Sequence, residues 1–303
     1  KSDLTGAVAS IKAEELNPGA NASVEQALQG RVAGVQINQK SNEPGGGLSV
    51  SIRGAGSINA GTEPLYVVDG IIVNNGSIAA SGGVGFTGNS NPRNPLNTLN
   101  PADIASIEIL KDASSTAIYG SRGSNGVVLI TTKKGKMGKL RVNYDYYYGM
   151  QEAAKTLDLL SPTEYQTVLN AIIDDGGGDP GQRIEEIEGN GTNWLDLVLR
   201  SAPTQNHNLS FSGATENINY FSSINYFNQE GLVEGSGIER YNVRLNLGSS
   251  QTEKYKYGVN LNAAYIKDDF ASTGTGINEN GGALYSAINY DPTIQAYNED
   301  GSY

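Results

Sequence analysis

From Leu140 onward the chain alternates apolar and polar residues. Leu140, Val142, Tyr144, Tyr146 and Tyr148 share one parity, and Arg141, Asn143 and Asp145 occupy the other. The period returns in Ile218, Tyr220, Ile224 and Tyr226 against Asn217, Asn219 and Asn225. Tyr241, Val243, Leu245 and Leu247 likewise oppose Asn242, Arg244 and Asn246, and Tyr255, Tyr257, Val259, Leu261 and Tyr265 oppose Lys254, Lys256, Asn260 and Asn262. Successive side chains of a strand point to opposite faces, so strands with one apolar and one polar face are predicted near 139–151, 217–230, 239–249 and 254–268. A shorter strand is predicted at 205–213, with Leu209 and Phe211 opposing Asn208, Ser210 and Ser212.

Length separates these segments from ordinary strands, which run about 5–6 residues. About eleven residues at about 3.3 Å, tilted about 45°, span roughly 25 Å, the height of the apolar band on a transmembrane β-barrel. Tyrosines crowd the ends of the apolar face, as an aromatic girdle would, and Asn, Ser and charge fill the other, as a wet lumen would. A soluble antiparallel sheet or β-solenoid with one solvated face is the competing reading. The connections favour the barrel, alternating between long (153–204), short (214–217), medium (231–238), short (250–254) and long again (269–303). Within the first, Ser161, Pro162 and Glu164 spell a capped helix start, with Leu160 stapled to Tyr165. Tyr165, Val168, Leu169 and Ile172 form that helix's apolar face, Gly176–Gly178 end it, and a second short helix is expected around Trp194–Leu199. Both are expected to pack on the barrel rim. Five strands cannot close a barrel without leaving unsatisfied backbone in hydrocarbon, so the chain is expected to be part of a longer one.

Before Lys133 the pattern is that of a small α+β domain. Ser23 and Gln26 form a capping box ahead of Ala27 and Leu28. Leu48–Ile52 reads as a strand, and Leu65–Val68 and Ile71–Val73 flank Asp69-Gly70, a hairpin signal. Asp103–Ile109 leads into another strand, Asp112 is placed to cap a short helix through Ala117, and Gly126–Thr132 is a β-branched run. Long Gly/Asn loops separate these pieces at 42–47, 54–61 and 74–100, and the last exceeds the usual loop length enough to suggest contact work.

Composition narrows the chemistry. The chain has 303 residues with 38% hydrophobic residues, 39 Gly, 17 Tyr, one His and no Cys. A Cys/His zinc site and a cysteine nucleophile are therefore excluded, and a Ser-His-Asp triad would rest on His207 alone. No apolar stretch reaches the length of a transmembrane helix. No leader precedes Lys1, so any secretion signal is expected to have been removed or to lie upstream. The net charge of −11 is unevenly spread: residues 1–138 carry 11 basic and 10 acidic residues, whereas 139–303 carry 10 and 22. Neither half offers the basic face that a nucleic acid requires. Gly54-Ala55-Gly56 lacks the rest of a dinucleotide fingerprint. Asp174, Asp175 and Asp179 lack EF-hand spacing, no carboxylate pair stands out as a glycosidase site, and no cofactor or metal is expected.

Several strings carry a resemblance. Ala27-Leu28-Gln29-Gly30-Arg31-Val32-Ala33-Gly34-Val35, Ser51-Ile52-Arg53-Gly54 and Pro64-Leu65-Tyr66-Val67-Val68-Asp69-Gly70 resemble the plug of TonB-dependent outer-membrane receptors. The block Asn100-Pro101 through Ile107-Glu108-Ile109-Leu110-Lys111-Asp112 to Tyr119-Gly120-Ser121-Arg122-Gly123, continuing to Thr131-Thr132-Lys133-Lys134-Gly135, is similar to the SusC/RagA type. Gln205–Ser210 and Tyr226–Gly231 resemble that type's first barrel strands.

The resemblance implies a membrane β-barrel of the 22-strand class with an N-terminal α+β plug in its lumen: residues 1–138 the plug, residues 139–303 the first part of the barrel. It implies location in the cell outer membrane and no enzymatic activity. The activity implied is TonB-dependent import of a large nutrient, an oligosaccharide or, in some members, a peptide. A SusD-like surface lipoprotein would form a lid, TonB with ExbB and ExbD would act from the periplasm, and lipid would surround the barrel. A soluble secreted carbohydrate-binding module is the alternative from another class. Arg53 and Arg122, which match plug-motif arginines, are candidates for ionic contact with carboxylates of the barrel wall. Asn59, Asn74, Asn89 and Arg93 on the plug loops are candidates for hydrogen bonds to ligand. Asp69-Gly70 is read as a hairpin turn rather than a ligand contact, and His207 as structural.

Overall fold

The computed structural model describes residues 8–13, 15, 23–39, 43–54, 63–73, 94–250, 255–269 and 282–297. The N-terminal globule contains β1 (Val8–Lys12), α1 (Val24–Leu28), β2 (Val35–Gln39), β3 (Leu48–Ile52), β4 (Leu65–Val68), β5 (Ile71–Val73), β6 (Ile104–Leu110), α2 (Ala113–Thr116) and β7 (Val127–Thr132). Its main sheet runs β1-β6-β7-β4-β5, and β2 and β3 form a separate hairpin. Only β4 and β7 pair in parallel within the main sheet. β1 falls in a stretch where neither period is sustained and is a strand by pairing with β6, whereas β2 carries a short alternation, Val35 and Ile37 against Gln36 and Asn38, and pairs with β3.

The core of the globule gathers Val24, Leu28, Tyr66, Leu96, Ile104, Ile107, Ile109, Val128 and Ile130. α1 starts where its capping pattern places it, with Ser23 Oγ accepting the Gln26 amide at 3.3 Å. The hairpin turn between β4 and β5 sits at Asp69 (φ 49°) and Gly70 (φ 86°), the two positive values that a type I′ turn demands. Asp112 precedes α2, but its carboxylate makes no capping bond there, contrary to the expected cap. It faces Arg53 instead.

The second half is one antiparallel meander: β8 (Gly138–Gln151), β9 (Ala202–Ala214), β10 (Ile218–Glu230), β11 (Gly237–Ser250) and β12 (Lys256–Asp269), neighbours in that order. β9 has 13 residues rather than the shorter run expected, because Ala202, Pro203 and Thr204 pair with Gln151, Met150 and Gly149 of β8. The loop between β8 and β9 carries α3 (Pro162–Asp174) and α4 (Trp194–Val198), and α5 (Ala283–Asn289) follows β12. α3 starts with the full capping box: the Glu164 amide donates to Ser161 Oγ at 3.3 Å, and the Ser161 amide donates to Glu164 Oε2 at 2.9 Å.

The outward face of the meander is an apolar band with defined edges. Across all five strands the register aligns Tyr146, His207, Tyr226, Tyr241 and Tyr265 in one row. Neighbouring rings of this row lie 4.7 to 6.3 Å apart. His207 thus takes a tyrosine's place in a girdle, with Nδ1 2.8 Å from the Tyr144 hydroxyl. Below come rows such as Tyr144, Leu209, Ile224, Val243 and Ala263, then Val142, Phe211, Ser222, Leu245 and Leu261. The row above the girdle is Tyr148, Gln205, Asn228, Glu239 and Lys267, where polarity takes over. Glu239 Oε1 accepts the hydroxyls of Tyr241 (2.7 Å) and Tyr226 (3.2 Å), so these rings point their polar tips toward that upper edge.

From the girdle to the Ile218 and Tyr257 row is about 26 Å along a strand, or about 20 Å in height at the usual tilt, close to the lipid-facing band of an outer-membrane barrel. Among the described residues no second sheet covers this face. Tyr144, Val142, Ile224, Val243, Leu261 and Tyr265 all stand exposed. A contiguous apolar face of this extent requires a non-aqueous neighbour.

Candidate functional site at the seam between globule and wall

The inward face of the meander is polar, yet on its three central strands, β9, β10 and β11, it is buried. Asn206, Asn208, Ser223, Asn225, Arg240, Asn242, Arg244 and Asn246 are nearly inaccessible because the globule lies against them. The segment that docks is the end of the long Gly/Asn loop, where Asn94 and Asn100 each start a short 3-10 turn, at Pro95–Thr98 and Pro101–Asp103. These turns leave carbonyls facing the wall. Asn242 Nδ2 donates to Thr98 O at 2.7 Å, and Arg240 Nη1 donates to Asn97 O at 3.3 Å. Asn100 Nδ2 donates to Asn208 Oδ1 at 2.8 Å, and Ser223 Oγ donates to Asp103 Oδ2 at 2.7 Å. Burial raises the Asp103 pKa, and the Ser223 hydroxyl with the Arg244 and Lys133 charges pulls it part of the way back. Phe227, on the same inward face, holds the Arg240 guanidinium 4.8 Å above its ring.

A buried ion pair crosses the seam. Arg244 Nη2 of β11 lies 2.5 Å from Asp69 Oδ2 at the hairpin turn, with side-chain exposures of only 4% and 8%. The same nitrogen donates to Thr132 Oγ1 at 2.6 Å, and that hydroxyl donates to Asp69 Oδ2 at 2.6 Å. The Thr132 amide closes the cluster onto Asp69 Oδ1 at 3.0 Å. Asp69 is therefore both the turn residue expected and a latch to the wall. The turn aims it: β4 pairs with β7, which brings Thr132 beside the tip.

The two candidate arginines lie elsewhere. Arg53 Nη2 pairs with Asp112 Oδ1 at 2.5 Å within the globule, from a backbone at φ 61°. Arg122 is exposed on a 3-10 turn at Ala117–Gly123, and no ion pair involving it is found among the described residues. Asn59, Asn74, Asn89 and Arg93 lie outside the described residues. The seam thus places its buried cation on the wall and its carboxylate on the globule, opposite to the polarity expected. Arg244 carried a signal in the sequence, as one of two charges, with Arg240, on the amide-bearing parity of its strand.

The seam is polar without being saturated. Thr204 Oγ1, Asn225 Oδ1, Asn242 Oδ1, Arg244 Nε and Asn246 Nδ2 are buried without a hydrogen-bond partner among the described residues. Separating such faces admits water to atoms that lack partners when docked, so it costs less than parting an apolar core of the same area.

A self-contained globule seated on the polar face of long membrane-length strands, whose other face is an aromatic-edged apolar band, defines a plugged outer-membrane β-barrel. A sequence model described as the TonB-dependent receptor plug domain matches residues 1–127. TonB-dependent receptor P26 of Formosa agariphila is 43% identical over the whole chain, and TonB-dependent receptor SusC of Bacteroides thetaiotaomicron is 36% identical, again over the whole chain. The chain spans 28% of the length of each of these relatives. Among solved structures, the RagAB peptide importer in its closed-closed state aligns with TM-score 0.79 and 29% identity, covering 100% of this chain and 35% of that one. The siderophore receptor PirA of Acinetobacter baumannii aligns with TM-score 0.58 at 19% identity, over 93% of this chain and 34% of that one, a likeness of fold alone. Residues 1–127 belong to the TonB-dependent receptor plug domain family, and over its whole length the chain is similar to receptors of the SusC/RagA type.

Proposed function

We propose that the chain forms the plug and the first wall strands of a receptor that imports an oligosaccharide across the outer membrane. Residues 1–138 act as the plug and residues 139–303 begin a barrel of the 22-strand class. A SusD-like lipoprotein serves as lid, and TonB with ExbB and ExbD supplies the pull. The observation that carries this reading is the seam: a plug with its own core, held to the wall by polar contacts that include the Asp69–Arg244 ion pair and scattered amides, can be displaced as a body. The amide-rich wall, with Asn206, Asn208, Asn225, Asn242, Asn246, Asn260 and Asn262 on its inward face, suits a neutral solute rich in hydroxyl groups once the plug has moved. Import of this kind needs binding and a conformational step, with no covalent chemistry.

A peptide is the second reading, favoured by the likeness to the RagAB peptide importer. The test is accumulation of fluorescent neutral oligosaccharides and of fluorescent peptides in cells carrying the full-length receptor, with and without TonB. TonB-dependent accumulation of oligosaccharide is expected. Accumulation of peptide alone selects the second reading, and no TonB-dependent accumulation of either rejects import.

A further inference from the structure

The loop between β8 and β9 and the segment after β12 are joined into one body on the girdle side of the wall. The Thr192 amide donates to Pro292 O at 2.8 Å and its hydroxyl to Ile294 O at 2.7 Å, while the Ala296 amide returns a bond to Thr192 Oγ1 at 3.0 Å. The Glu188 amide donates to Thr293 O at 3.0 Å. Trp194 is fixed by the same stitching: its indole N–H donates to Asp291 O at 2.8 Å, and its ring meets Tyr290 edge-on at 4.9 Å and 75°.

Between these two pieces lies a cavity of about 960 Å³. Trp194, Tyr290 and Tyr165 supply ring surface to it, and Asp158, Asp196 and Asn289 supply acceptors. Among the described residues no Lys, Arg or His lines it.

We propose that this cleft is a binding site for a neutral oligosaccharide, separate from the seam between plug and wall. Its volume is that of a site for several sugar rings or a drug-sized ligand. Aromatic faces match the C–H faces of a pyranose ring, and carboxylate and amide oxygens accept from its hydroxyls. Two carboxylates without a cation repel sulfated, phosphorylated or uronic chains. A peptide in extended form would need an unpaired strand edge, whereas helix, turn and coil residues line this cleft. The cross-loop bonds hold the rings in place before the ligand arrives, which lowers the cost of ordering. The inference rests on the import reading for its ligand class, and it adds a capture site on the outer surface.

The experiment is affinity electrophoresis and titration calorimetry of the full-length receptor in detergent, using soluble starch, laminarin, xylan and galactomannan as probes. Retardation by at least one of the four is expected, with Kd weakened at least tenfold by Trp194→Ala and by Tyr290→Ala and largely retained by Tyr290→Phe. Heat-modifiable gel migration scores barrel folding, and Tyr290→Ala, at a half-exposed ring, keeps the test open should Trp194→Ala fail to fold. Binding to none of the probes, or equal binding by wild type and Tyr290→Ala, overturns the site. TonB-dependent uptake without retardation rejects the cleft alone, and retardation without uptake rejects the import reading alone.

Discussion

Removing the Asp69 carboxylate should loosen the plug from the wall far more than any other single change at the seam. In Asp69→Ala the Arg244 guanidinium, 4% exposed, loses its counter-ion, and Thr132 loses the acceptor of both its amide and its hydroxyl. Stranding one partner of a buried pair costs about 3–5 kcal/mol. If the plug separates from the wall as a body, its opening equilibrium shifts by about 10²- to 4 × 10³-fold, since about 1.4 kcal/mol is a factor of ten. Residues 1–303 contain no Cys, so a single Thr204→Cys, buried at the seam, reports opening through its thiol-labelling rate in a full-length receptor freed of any cysteine elsewhere. Labelling should accelerate by roughly that factor in Asp69→Ala and by less in Asp69→Asn, which keeps an acceptor oxygen. The pair Asp69→Asn with Arg244→Met should return most of the loss, because the Asn carbonyl still accepts from Thr132 in a left-handed turn position and no unpaired charge stays buried. Acceleration below about threefold in Asp69→Ala, under about 0.7 kcal/mol, would refute the latch.

Lipid contact can be tested on the outward face. Leu245→Arg, in the middle row of the band, should destabilise the folded barrel by about 2–4 kcal/mol, and Asn228→Arg, above the girdle, by about 0–1 kcal/mol, read from unfolding in bilayers. Glu25 is buried in the plug core, where burial pushes its pKa up to about 7 against the opposing hydrogen bonds from Asn94 Nδ2 (2.7 Å), its own backbone and Ser23. Its folded pKa lies above the unfolded value, so the stability it contributes is complete below about pH 4.5 and declines by about 3 kcal/mol as pH rises to about 7. Hydrogen exchange of α1 and β4 should show that decline in wild type and not in Glu25→Gln. Gly126→Ala should destabilise the plug by about 2 kcal/mol or more, measured by the same exchange, because Gly126 sits at φ 91° and a Cβ there meets Ile52 and the Leu110 carbonyl.

The strands of the wall were legible because lipid and lumen impose a period of two on every residue, and that signal repeats over 13 or 14 positions per strand. The hairpin at Asp69-Gly70 and the capping box at Ser161 were legible for another reason: backbone sterics and nearby hydrogen bonds decide them within a few residues. β9 was shortened in prediction because Pro203 and Thr204 break its apolar alternation, and only pairing with β8 makes them strand. β1 was not legible for the same cause, since it is a strand by virtue of a partner about a hundred residues away, and β2 because its alternation spans only Val35–Asn38.

The seam was the least legible part. Asp69 and Arg244 stand 175 residues apart, and neither residue type reveals that it will be buried or what it will face. Asp112 and Arg53 show the converse: each has a plausible local or wall-directed role, and the fold spends them on each other. By itself the amino-acid order determined which half meets lipid, which half makes its own core, and where turns and caps fall, because those features depend on period and on neighbours along the chain. The tertiary structure decided which charges meet between the halves, because a partner across a seam is set by the docking of two surfaces, and no local interaction carries information about that.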